Sequence, residues 1–289
     1  MLDPDKTLSW EKRHRPRAAI AALLGAVGLL VFYVASQRLQ SAGPTTSGLE
    51  TLERVGGTER VGALPSLRLA EFQYLHDNQL LVLAIGLGAF IGFVGMAWAV
   101  GFLAVATRTR VPEFKRFLIY IPIVGGVVVG IAIMLIQVAV VTVTNDFLDS
   151  ARTVADATRS QTGLQQFGQI LYSLGSLLLA VGMVIVSLNA MRTGLLTKLF
   201  GYVGIVAGAL VVLVPLPVVQ IFWLGGLGLL FLSRFPGGDP PAWRTGKAEP
   251  WPGAVAAAQA RAERAGGPAS QPAAPKASSG AGRSKRKKR

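Results

Sequence analysis

Residues 199–233 read LFGYVGIVAGALVVLVPLPVVQIFWLGGLGLLFLS, a stretch with no Asp, Glu, Lys, Arg or His. As a single helix rising 1.5 Å per residue it would span about 52 Å. A bilayer core of roughly 30 Å takes about 20 residues, so one crossing leaves too much chain over. Pro215 and Pro217 stand at its middle, where each ring removes an amide donor and turns the preceding residue away from helix. The expectation is therefore a tight hairpin of two short crossings, 199–214 and 218–233.

Working outward from that hairpin, four more apolar runs carry no ionisable residue: 18–36, 80–106, 117–143 and 167–191. In hydrocarbon no water satisfies backbone amides and carbonyls, so such runs must close their hydrogen bonds internally as helices. The predicted fold is all-α, a polytopic membrane bundle of six transmembrane helices over 18–233. A basic leader, 1–17, precedes it and a Pro/Ala-rich disordered basic tail, 234–289, follows. The composition agrees: 51% hydrophobic and 15% charged residues with a mean hydropathy of +0.48 exclude an ordinary soluble domain. With no cysteine, disulfide frameworks and thiolate metal sites are excluded as well.

The net charge of +14 is unevenly placed. Segments 1–17, 107–116, 192–198 and 234–289 hold 23 Lys and Arg against 7 acids, whereas 37–79 and 144–166 hold 6 against 8. Cationic loops stay on the cytoplasmic side, so both termini are expected there, in a bacterial plasma membrane. A basic leader before an apolar run ending Val34-Ala35-Ser36 has the outline of a secretory signal. The run exceeds the usual 7–15 residues and the leader contains Asp3, Asp5 and Glu11, which favours an uncleaved first crossing.

Of the outer segments, 37–65 is punctuated by Gly43-Pro44, Gly48, Gly56-Gly57, Gly62 and Pro65 and reads as an irregular loop. From Ser66, a candidate N-cap, Leu67, Leu69, Ala70, Phe72 and Leu75 fit a helix running straight into the second crossing. After the third crossing, Phe147, Leu148, Ala151, Val154 and Ala155 share one arc, and Asp149, Arg152, Asp156 and Arg159 the opposite one. This predicts a continued amphipathic helix whose charges pair at i,i+3.

The tail opens with Pro236 to Trp243 and Pro250-Trp251-Pro252, a pattern poor for regular helix, with Trp243 and Trp251 suited to the headgroup level. It ends in Arg283, Lys285, Arg286, Lys287, Lys288 and Arg289, a polybasic cluster expected to contact anionic lipid at about 1 kcal/mol per charge. Without interleaved aromatics it gives no sign of base stacking, and a nucleic-acid partner is not expected.

Catalytic signatures are missing. There is no Walker loop, G-x-S-x-G elbow, H-E-x-x-H pair or zinc pattern, so no catalytic residue, cofactor or metal is expected. His76 beside Asp77 reads as a solvated or capping residue. Ion-coupled carriers generally need ionisable groups inside the bilayer, and the six runs have none. They do carry Gln137, Tyr172 and Gln220 at similar depth near the outer ends of crossings three, four and six. These three are the candidates for an outer vestibule, with interhelical hydrogen bonding as the plainer reading. Gly88-x-x-x-Gly92, Gly126-x-x-x-Gly130 and Gly204-x-x-x-Gly208 supply close-approach faces for helix packing. Pro122 should sit near the start of its helix or bend it.

The inner segments Thr109-Arg110-Val111-Pro112-Glu113-Phe114-Lys115-Arg116 and Arg192 to Gly204, with Pro240-Pro241-Ala242-Trp243 and Glu249-Pro250-Trp251-Pro252, resemble those of actinobacterial multi-pass proteins carrying a domain of unknown function. The resemblance covers most of the chain up to Pro252 and implies six membrane helices; it implies no activity. The expected role is a non-enzymatic scaffold, assembly or regulatory component, with a membrane protein or a second copy as partner. The alternative is a passive transporter or channel for a small neutral or amphipathic solute.

Overall fold

A computed structural model describes residues 3–44, 65–159, 163–213, 217–235 and 238–249. The chain divides into Met1–Trp251 and Pro252–Arg289; the second unit, with the Arg283–Arg289 cluster, lies outside the described residues, as do the loop 45–64 and Trp251. Among the described residues the elements are nine helices: α1 Pro4–Ser41, α2 Leu69–Asp77, α3 Gln79–Arg110, α4 Phe117–Asp149, α5 Val154–Arg159, α6 Gly163–Arg192, α7 Lys198–Leu213, α8 Val218–Phe231 and α9 Pro241–Thr245. Four of them, α1, α3, α4 and α6, are long and apolar enough to cross a membrane.

The runs 18–36, 80–106, 117–143 and 167–191 are helical throughout and their helices overrun them, whereas α8 stops at Phe231, short of the expected 233. α1 begins at Pro4, well before Ala18, because Asp3 accepts the Asp5 amide at 3.0 Å and Pro4 occupies the first turn, where its missing N–H costs nothing. α7 and α8 have 16 and 14 residues, about 24 and 21 Å long at the standard rise. Residues 214–216 between them, where a tight turn is expected, lie outside the described residues.

The six apolar helices close a ring. α1 packs on α3, α3 on α4, α4 on α6, α6 on α7, α7 on α8, and α8 returns to α1. We call the end bearing residues 3–17, 110–117, 192–198 and 232–249 basal, and the other apical. The basal half is filled by fully buried side chains, among them Met96, Leu103, Met183, Trp223, Leu224 and Leu227. Outward, Leu24, Leu30, Trp98, Ile170, Leu174 and Phe222 are exposed, an apolar belt that suits lipid and would be a liability in water.

Two apical expectations need correction. The helix from Ser66 does not run straight on: it stops at Asp77 and α3 restarts at Gln79. Asn78 at the joint turns its side-chain amide onto the Tyr74 carbonyl at 2.9 Å. Nor does α4 continue through 150–153. Arg152 adopts φ 60°, the Ser150 hydroxyl takes the Phe147 carbonyl at 2.7 Å, and the Ser66 amide bonds the Arg152 carbonyl at 2.9 Å. A local side-chain alternative and a cross-link to another segment outcompete the helix there. Ser66 does act near a helix start, its hydroxyl accepting the Arg68 amide at 3.2 Å.

Candidate functional site

Gln137, Tyr172 and Gln220 line one cavity of about 410 Å³ in the apical half. Every helix of the ring contributes to it: Phe32 from α1, Phe93 from α3, Ile133, Ile136 and Gln137 from α4, Gln169, Tyr172 and Ser173 from α6, Val211 from α7, and Gln220 from α8 behind Pro217. Among the described residues that line it, none is charged. Its volume falls within the range of small-molecule sites, and its mix of apolar walls with a few polar groups is typical of them.

The polar groups are incompletely satisfied. Gln220 is 3% exposed. Its Nε2 donates to the Ala207 carbonyl at 2.9 Å, bridging the α7–α8 hairpin, while its Oε1 is buried with no partner among the described residues. A buried carbonyl oxygen left unpaired costs about 1–3 kcal/mol, which a donor in the cavity would recover once the side chain turns toward it. Tyr172 donates weakly to the Val211 carbonyl at 3.4 Å and keeps its oxygen lone pairs for a ligand. The Ser173 hydroxyl folds back on the Gln169 carbonyl at 2.9 Å. The set offers acceptors and neutral donors from α4, α6 and α8 among aromatic and branched carbon; it can hold and orient a neutral molecule.

The basal end contains what sequence reasoning missed. Glu11 and Arg110, from segments that charge counting treats as solvated, form a buried ion pair. Their side chains are 4% and 0% exposed, and both guanidinium nitrogens Nη1 and Nη2 engage the carboxylate. Nη2 also donates to the Ala242 carbonyl at 2.6 Å, tying α1, α3 and α9 together. Arg15 donates to the Leu230 carbonyl at 2.6 Å and to Asp239 at 3.1 Å. Both guanidiniums lie over the Trp243 ring, at 4.7 and 5.4 Å, within cation–π range. Trp243, expected at the headgroups, is instead 4% exposed. Its Nε1 donates to the Leu195 carbonyl at 3.0 Å, and Pro241–Thr245 around it is helical, contrary to the expectation from its prolines. The only sequence signal was the charge of residues 11, 15, 110 and 239, which orientation rules consume before pairing is asked about.

Glu11 precedes the apolar run that begins at Ala18. Burial pushes its carboxyl above the ordinary carboxylate range, against the lowering effects of the Arg110 hydrogen bond and charge and of the Arg15 charge. Desolvation thus outweighs the pairing, the usual balance for a buried pair, whose contribution is registry more than net stability.

The six packing glycines all meet neighbours of the same chain. A Cβ on Gly88 would come within 2.9 Å of the Gly28 carbonyl, on Gly92 within 2.6 Å of Leu29, on Gly126 within 2.8 Å of Ala97, and on Gly130 within 3.3 Å of Phe90. On Gly204 it would reach the Ser187 hydroxyl and the Trp223 ring, and on Gly208 Met183. At the apical end His76 Nδ1 lies 2.9 Å from both Asn145 Oδ1 and Gln79 Nε2, donating to the first or accepting from the second according to its tautomer. Comparison with protein-family models, with curated proteins and with solved structures finds no match.

Proposed function

We propose that the protein is a six-crossing plasma-membrane protein, both termini cytoplasmic, that binds a small neutral amphipathic solute in the cavity at its apical, outward end. The observation that carries this reading is a cavity to which all six helices contribute, lined by Gln220, whose Oε1 is buried and has no partner among the described residues. A chain selected only to pack would fill such a space with carbon, because an unsatisfied buried acceptor and an empty volume both weaken it. The charge asymmetry supports the orientation. α7 and α8, though short, span with the local bilayer thinning that short hydrophobic helices impose. Passage of the solute to the cytoplasm requires the packed basal half to part, so binding is the primary activity and transport needs a second conformation. The scaffold reading draws less support, since its close-approach glycines are occupied within the chain.

The test uses 1-octanol and its methyl ether as probes on detergent-solubilised full-length protein. The alcohol, which can donate to Gln220, should raise the melting temperature more than the ether, and the difference should vanish in Gln220→Leu. A single neutral hydrogen bond corresponds to about 0.5–1.5 kcal/mol, or roughly two- to tenfold in affinity. Equal protection by both probes in the wild type, or an unchanged difference in Gln220→Leu, would refute the reading.

A further inference from the structure

A second cavity of about 410 Å³ lies at the basal end between α1 and α8, lined by Leu8, Glu11, Lys12, Arg15, Pro16, Phe231, Leu232, Ser233 and Trp243. Its carboxylate is already engaged, since both Glu11 oxygens take Arg110. Arg15 uses Nη2 alone for Leu230 and Asp239, leaving Nη1 without a partner among the described residues. Lys12 is exposed and forms no ion pair among them. The walls are thus apolar, while the free polar groups are cationic or hydroxylic donors.

Ser233 sharpens the assignment. It sits at φ 59° just past α8, with its amide on the Leu230 carbonyl at 3.1 Å and the Arg234 amide on the Leu229 carbonyl at 2.9 Å. This is the helix-ending pattern in which the left-handed residue is usually glycine. A serine there sacrifices backbone comfort, and it lines the same cavity as Lys12 and Arg15. An outlier that local structure would rather replace with glycine points to a use for its side chain.

We infer that this basal cavity binds a phosphate ester, the phosphate on Lys12 Nζ, Arg15 Nη1 and the Ser233 hydroxyl, and that its source is an anionic phospholipid. The site lies where the apolar belt ends and charged residues begin, the level of lipid phosphates. Basic pockets between membrane helices at that level suit such head groups, and exposed Leu232 with Pro16 gives the first acyl carbons an apolar wall. The terminal cluster attracts anionic surfaces by charge alone; this cavity adds shape and a defined donor set.

Native mass spectrometry of the full chain, loaded from mixed micelles of phosphatidylglycerol and phosphatidylcholine, reads the retained lipid. The wild type should retain phosphatidylglycerol preferentially. Lys12→Gln should reduce that preference about fivefold, the weight of one interfacial charge. Lys115→Gln, the same change at an exposed basal lysine outside the cavity, should leave it unaltered. Ser233→Gly should weaken retention while the lipid-free protein melts no lower, separating a ligand role from a folding one. Equal retention of the two lipids, or equal effects of Lys12→Gln and Lys115→Gln, overturns the site. Inorganic phosphate at millimolar concentration forms the remaining arm. If it displaces phosphatidylglycerol without detergent exchange, the phosphate chemistry stands and the lipid source is overturned; failure to displace supports the lipid.

Discussion

At the level of single residues, two kinds of polar group meet opposite fates in this chain. Gln137, Tyr172 and Gln220 stand out in the sequence because they interrupt apolar runs, and their distance from the run ends gives their depth; a polar residue in hydrocarbon has few alternatives to facing its own kind. Glu11 and Arg110 lie in segments rich in charge, where any one residue is indistinguishable from its solvated neighbours, so their pairing across 99 positions has no local signature. Their energetics are testable as a cycle. Arg110→Met leaves the Glu11 carboxylate buried without its partner and should destabilise the protein by about 3–5 kcal/mol, whereas Glu11→Leu combined with Arg110→Met should restore most of that loss. Unfolding in detergent of the two singles and the double measures it. A double that stays as unstable as Arg110→Met would mean that the pair contributes net stability and the registry argument fails, and a double equal to the sum of the singles would mean that the two residues are not coupled.

The helices themselves were legible because period and length are set by the solvent: an apolar run of about 20 residues in lipid has little choice but helix. Their ends were less so. α1 extends through a charged leader because Asp3, Pro4 and the partners of Glu11 and Arg15 hold it, and α4 breaks at Arg152 because Ser66 pairs with that residue's carbonyl; both causes are tertiary. Packing between elements gives a sharper test than their boundaries. At the α1–α3 contact a Cβ on Gly28 would lie 2.6 Å from the Gly92 amide nitrogen and 2.8 Å from the Gly88 carbonyl. Both are backbone atoms of a neighbouring helix, which can yield only if the helices part. Gly28→Ala should therefore cost about 1–3 kcal/mol, overriding the helix-propensity gain of up to about 1 kcal/mol. Gly225, with nothing within 4 Å of the same position, provides the control, and Gly225→Ala should leave the melting temperature unchanged or raise it. Two variants melting alike would mean that α1 and α3 are not held at this distance.

For the molecule as a whole, the ring and the charge distribution make one joint demand. The ring brings residues 3–17, 110–117, 192–198 and 232–249 to one end through contacts such as Arg110 to Ala242 and Arg15 to Asp239. The positive-charge bias would keep the same segments in the cytoplasm. These arguments are independent, since hydrogen bonds inside the protein are indifferent to which leaflet they face and the charge bias is indifferent to pairing. Their agreement puts both ends of the α7–α8 hairpin at the basal end, where Leu230 reaches Arg15. The chain has no cysteine, so single substitutions give a clean readout. A membrane-impermeant thiol reagent applied to intact cells should label Asp77→Cys, at the apical end beside α3, and leave Glu113→Cys, between α3 and α4, unlabelled until the membrane is opened. Labelling of Glu113→Cys alone would invert the protein and place the uncharged cavity on the cytoplasmic side. Labelling of both would mean that the ring does not sit across the bilayer along its helix axes.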